Sequence, residues 1–91
     1  MYKIISIVLF FLLSTLSLNA EIARNLKIIG NERVSDETIK VYGDVELGKN
    51  YKESDLNNIL QNLYSTNFFE DVQISLEGGI LTIKLKEYMD T

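Results

Sequence analysis

The sequence predicts a small two-layer α+β domain, with two helices on one face of a three-stranded sheet in the order β-α-α-β-β. Three observations carry this. Leu56, Ile59, Leu60, Leu63 and Tyr64 recur at i, i+3, i+4, i+7 and i+8, an apolar stripe at helical spacing. Val72, Ile74 and Leu76 alternate with Gln73, Ser75 and Glu77, and Leu81, Ile83 and Leu85 alternate with Thr82, Lys84 and Lys86. These two period-2 runs flank Gly78-Gly79, the signature of a hairpin.

The remaining elements follow from local chemistry. Leu26 to Ile29 is a short apolar run closed by Gly30-Asn31-Glu32, read as a first strand over 24–30 with Leu26 and Ile28 on one face. Ser35 is a good helix N-cap, and Asp36 and Glu37 sit where the helix dipole favours negative charge. Val34 and Ile39 have the spacing of a hydrophobic staple, and Gly43 is placed to end the helix as its C′ residue. Asp44 to Tyr51 reads as a polar connection containing Gly48. The second helix starts either at a Ser54 cap or a turn earlier, with Lys52 in a poor cap position, and Asn67 can take the left-handed conformation that ends it. Because each strand of the hairpin has one apolar and one polar face, one side of the sheet is expected to be covered and the other wet. The expected core is Leu26, Ile28, Ile39, Leu56, Ile59, Leu60, Leu63, Ile74, Ile83 and Leu85.

The N-terminus has the pattern of a targeting segment. Met1-Tyr2-Lys3 carries one positive charge, Ile4 to Leu13 is unbroken apolar sequence, and Leu18-Asn19-Ala20 offers a small residue at a cut. This three-part pattern predicts a cleavable signal peptide over 1–20, followed by the folded domain at 21–87 and the beginning of a linker at 88–91. The alternative is an uncleaved anchor. A spanning helix needs about 20 predominantly apolar residues, and Ser14, Thr15 and Ser17 dilute the end of this run.

Composition excludes several function classes. The chain has 91 residues and a net charge of −4. Losing Lys3 with a signal peptide makes the remainder more acidic still, so a nucleic-acid partner is not expected, and no polybasic patch faces anionic lipid. There is no Cys and no His, which removes disulfide staples, the usual thiol nucleophile and the usual general base. No catalytic residue, metal site or cofactor is expected. Glu70-Asp71 reads as a solvated helix-to-strand connection, and Gly78-Gly79 lacks the Lys and helix of a phosphate loop. Asp44, Glu46, Glu53 and Asp55 are too scattered for a calcium loop. Of the aromatic pair, Phe69 reads as core and Phe68 as a candidate recognition aromatic.

Ile28-Ile29-Gly30-Asn31-Glu32-Arg33-Val34-Ser35, Glu37-Thr38-Ile39, Gly48, Tyr51, Asp55-Leu56, Leu63-Tyr64-Ser65-Thr66, Phe69-Glu70-Asp71-Val72, and Leu81-Thr82-Ile83 with Glu87, taken in order, resemble a POTRA domain. They look most like the first such domain of the outer-membrane barrel-assembly factors, and the likeness covers essentially all of 21–87. Asn67 stands where that family usually has Gly. The resemblance implies a periplasmic scaffold in outer-membrane β-barrel assembly whose partners are unfolded outer-membrane proteins and accessory lipoproteins. Membrane association would come only through a C-terminal barrel that 91 residues cannot supply. The chain is then either a fragment of a longer protein or a stand-alone domain. Rival members of the same fold are the POTRA of a membrane-anchored cell-division protein resembling FtsQ and that of a two-partner-secretion transporter. The resemblance also implies that the last strand lies central and that the strand of Val72, Gln73, Ile74, Ser75, Leu76 and Glu77 lies at an edge. An open edge can accept a peptide strand, so these six residues are the candidate binding site.

Overall fold

The computed structural model describes residues 20–88. The expected signal peptide, up to residue 19, and the last three residues of the expected linker lie outside them. Five strands and two helices follow in order: β1 (Ala20–Ile22), β2 (Asn25–Ile29), α1 (Asp36–Gly43), β3 (Asn50–Lys52), α2 (Glu53–Tyr64), β4 (Phe69–Glu77) and β5 (Ile80–Glu87). The main sheet has the order β2-β5-β4. β5 is central, antiparallel to β4 through the hairpin and parallel to β2. The domain is the α+β arrangement expected, with an addition: β1 and β3 form a separate antiparallel pair, Ala20 opposite Lys52 and Ile22 opposite Asn50. Three-residue strands carry too little periodicity to be read from sequence.

Each helix end shows what the sequence could and could not specify. The Ser35 hydroxyl accepts the Thr38 N–H at 3.2 Å, the expected cap. At the other end the left-handed residue is Asp44 (φ 55°), one position beyond the expected Gly43. Asp44 N–H bonds Val41 C=O and Val45 N–H bonds Lys40 C=O, a Schellman closure. Gly43 is small for a different reason. A Cβ there would stand 3.2 Å from a Val45 methyl and 3.3 Å from an Ile59 methyl, so the glycine lets α1 approach α2. α2 starts at the earlier of the two candidate positions. Its cap residue is Lys52, whose N–H is accepted by the Asp55 carboxylate at 2.9 Å. Asn67 (φ 64°) is left-handed as expected.

The core lies between the helices and the inner face of the main sheet. Ile39, Ile59, Leu63, Ile83 and Leu85 are buried as expected. Phe69 is buried too, as its reading as core requires, and Ala23, Val45, Tyr51, Val72 and Leu81 join them. Leu26, Ile28, Leu56, Leu60 and Ile74 pack against this cluster but are only partly buried. The segment read as a polar connection is anchored at Val45 and by Tyr51, whose hydroxyl accepts the Glu46 N–H at 2.9 Å and donates to the Glu46 carbonyl at 3.1 Å.

β4 begins at Phe69 rather than Val72, and Glu70-Asp71 is strand, not connection. The register with β5 slips between Phe69 and Asp71, so that Phe69 faces Glu87 while Asp71 faces Lys86. This bulge inserts one residue. It puts both Phe69 and Val72 on the buried side, three positions apart, which a strict period of two forbids.

Candidate functional site

β4 is the outer strand of the main sheet, so one side of its backbone meets no strand among the described residues. Which groups face outward follows from one bond. The Val72 N–H is donated to the Tyr64 hydroxyl at 3.0 Å, on the side away from β5. In an antiparallel pair, successive residues point their N–H and C=O alternately toward and away from the partner. The register from Asp71 to Glu77 is unbroken, and the turn has two residues, Gly78 (φ 58°) and Gly79 (φ 79°). The backbone groups of Val72, Ile74 and Leu76 therefore face outward, and those of Gln73, Ser75 and Glu77 bond β5. The side chains divide differently. Val72, Ile74 and Leu76 turn toward the helices, while Gln73, Ser75 and Glu77 are exposed.

Beside this edge runs a groove of about 810 Å³, lined by Glu53, Ser54, Leu56, Asn57 and Leu60 of α2 and by Val72, Gln73 and Ile74 of β4. Its apolar floor explains the partial burial of Leu56, Leu60 and Ile74. These residues keep the helical and strand periodicities that place them inward, but among the described residues the sheet ends at β4 and no element covers them from that side. Val72 to Glu77, the candidate strand that the resemblance implies, lie in the outer strand β4, and three of them line the groove. Phe68 does not line it. It is 44% exposed, with its ring 5.8 Å from that of Tyr42 and 6.2 Å from that of Phe69. The groove itself was not legible in sequence, because it is made by the gap between an edge strand and a helix two elements away.

A polar cluster locks the C-terminal end of β5. The Glu87 carboxylate accepts backbone N–H groups from Glu32, from Arg33 at 2.9 Å and from Val34 at 3.4 Å. These bonds, the Glu32 N–H above all, hold its pKa below the usual carboxylate range, aided by the Arg33 charge and opposed by some loss of solvation. The cluster ties the β2–α1 loop to β5, which is a structural task. Among the described residues no group of three or more acidic side chains is placed to hold a metal ion, and no helix is long and apolar enough to cross a membrane.

The described residues thus define a two-layer α+β module that presents a strand edge beside a groove lined by both apolar and polar side chains. The POTRA family model (surface antigen variable number repeat) matches residues 22–88, and the chain belongs to that family. It is 36% identical over 62 residues to the outer membrane protein assembly factor BamA of Neorickettsia risticii (strain Illinois), a match covering 68% of this chain and 8% of that protein. It is 28% identical over 75 residues to the outer membrane protein assembly factor BamA of Neisseria meningitidis serogroup B (strain MC58), covering 82% of this chain and 9% of that protein. The chain therefore matches less than a tenth of the length of these curated relatives. Among solved structures, POTRA1-2 of the periplasmic domain of Omp85 from Anabaena superposes with a TM-score of 0.60 at 14% identity, over 75% of this chain and 47% of that one. That likeness is one of fold.

Proposed function

We propose that this domain is a non-catalytic scaffold module in outer-membrane β-barrel assembly. It would work in the periplasm, attached to the outer membrane through the full-length protein, and would bind extended polypeptide by adding a guest strand to β4. Unfolded outer-membrane proteins and accessory lipoproteins are the corresponding partners. The observation that carries the reading is the open backbone of Ile74 and Leu76 beside the groove floored by Leu56, Leu60 and Ile74. Family membership and the assembly-factor relatives supply the process. A guest strand satisfies the outward N–H and C=O groups whatever its sequence, which suits a scaffold meeting many clients. Its alternate side chains would fall into the groove, favouring the apolar-polar alternation of barrel strands. Affinity is expected to be weak, because the bonds are generic and the guest loses conformational freedom on ordering.

The test is an NMR titration with peptides copied from outer-membrane barrel strands. Amide shifts concentrated on residues 73–77 and on the groove side of α2 support the reading. Shifts confined to the polar helix face around Asn58 and Asn62, with the edge silent, refute it.

A further inference from the structure

We propose that Tyr64 is a register stop for the guest strand: its hydroxyl closes the edge at Val72, so that a guest pairs with Ile74 and Leu76 only. The inference rests on the strand-addition reading above and sharpens it from a surface to a register.

The geometry is specific. The Tyr64 hydroxyl accepts the Val72 N–H at 3.0 Å and is 3.3 Å from an Asp71 carboxylate oxygen, to which it donates. The second Asp71 oxygen accepts the Gln73 side-chain amide at 3.2 Å. Both hydrogen-bonding roles of the hydroxyl are filled, and the carboxylate that orients it is itself held. Val72 is the first outward-facing residue after the bulge at Phe69–Asp71. A bulge bends a strand and interrupts its pairing surface. The edge is therefore closed on that side twice, by backbone shape and by an occupied donor. Beyond Val72 the outward groups of Ile74 and Leu76 have no such cover among the described residues, and the strand ends at the Gly78-Gly79 turn. Two outward residues accommodate a guest of about five residues, at ~3.4 Å per residue. Tyr64 is 39% exposed, at the last position of α2, so its ring stands where a longer guest would continue.

The experiment compares two soluble peptides of alternating Val and Thr flanked by Lys, of about five and about eight residues, on the wild-type protein and on Tyr64→Phe. The variant keeps the ring and removes only the tether. In the wild type the two peptides should bind equally, with shifts at the Ile74 and Leu76 amides and none at Val72. On Tyr64→Phe the Val72 donor is released and the ring is free to swing aside. The longer peptide should then gain about 3- to 10-fold, the worth of one added hydrogen bond, and the Val72 amide should enter the footprint. Hydrogen exchange on the free protein supplies a second readout. The Val72 amide should exchange slowly in the wild type and quickly in Tyr64→Phe, while Ile74 and Leu76 exchange quickly in both. A wild-type protein that already binds the longer peptide more tightly, with Val72 shifting, overturns the stop and leaves strand addition standing. So does a variant that behaves as the wild type. An edge silent to both peptides overturns strand addition, and the stop with it.

Discussion

The Glu87 carboxylate accepts the backbone N–H of Arg33 at 2.9 Å, joining the last residue of β5 to the loop that leads into α1. The two residues are 54 positions apart, so one side chain closes most of the domain's length. Its stabilisation depends on the charge, because an ionised carboxylate accepts amide hydrogens more strongly than a protonated one. The folded-state pKa is lowered. A group of this kind stabilises the fold above its unfolded pKa, about 4.3 for Glu, and the contribution is lost as pH falls through the lower folded value. Glu87→Gln is expected to melt at a lower temperature than the wild type near neutral pH. The two melting temperatures should converge as the solution is acidified below the usual carboxylate range. Thermal melts followed by circular dichroism across pH test this. A gap unchanged down to strongly acid solution would show that the charge contributes nothing.

Two glycines with nearly the same φ should respond very differently to alanine. Gly30 (φ 92°) and Gly48 (φ 86°) both lie in the left-handed region that side chains disfavour. At Gly48 a Cβ would meet nothing within 4 Å, so only the backbone cost remains, about 1–2 kcal/mol. At Gly30 it would stand 2.0 Å from the Leu85 carbonyl oxygen, a backbone atom of the central strand that cannot swing away. Gly30→Ala should therefore lose at least about twice as much as Gly48→Ala, or fail to fold. Urea unfolding of the two variants measures the difference, and equal losses would mean that the β2–α1 loop relaxes at little cost.

Two leucines on α2 separate stability from binding. Leu63 is fully buried, and Leu60, three residues earlier, is half-buried on the groove floor. Leu63→Ala should cost about 2–5 kcal/mol, as should Ile83→Ala in the central strand. Leu60→Ala gives up less buried area and opens no enclosed cavity, so about 1–2 kcal/mol is expected. Its larger effect should be weaker peptide binding in a domain that still folds. Urea melts beside peptide titrations check both halves. A Leu60→Ala loss as large as that of Leu63→Ala would place Leu60 in the sealed core.

The sequence reveals this fold wherever the periodicity is long and the neighbours are local. The α2 stripe, the hairpin and the Ser35 cap each depend on residues within a few positions of one another, and all three stand as expected. What escaped is set by distant partners. β1 and β3 lie some thirty residues apart in sequence, and their pairing is continued by bonds from Ala23 N–H to Lys49 C=O at 3.1 Å and from Gly48 N–H to Ala23 C=O at 2.7 Å. Phe69 belongs to a strand whose alternation is broken by an inserted residue, and the break hides its membership. The candidate edge was legible as a strand. Its openness came from the family resemblance, and the groove beneath it from neither.

The outward register of β4 decides where proline can probe the edge. From sequence, Ser75 and Gln73 are the natural places, since their side chains are exposed. The structure turns their N–H groups inward, because Val72 donates outward to Tyr64 and the ladder alternates from there. Ser75 sits opposite Thr82 and Gln73 opposite Lys84 in the central pairing. Proline at either position removes a ladder bond and leaves the opposing carbonyl short of its partner, a cost of about 1 kcal/mol before any backbone distortion. Ile74→Pro removes a donor that faces no strand of the domain, the one setting in which sheets tolerate proline. It also shortens a half-buried side chain, so Ile74→Ala is the matching control. Ser75→Pro should therefore unfold at a lower urea concentration than Ile74→Pro, while Ile74→Pro, against Ile74→Ala, should lose most of its affinity for a barrel-strand peptide. Ile74→Pro binding as well as Ile74→Ala would remove the Ile74 N–H from the recognition of guests. A Ser75→Pro domain more stable than Ile74→Pro would mean that the outward and inward sides of β4 are exchanged, and that the Tyr64–Val72 bond does not mark the free edge.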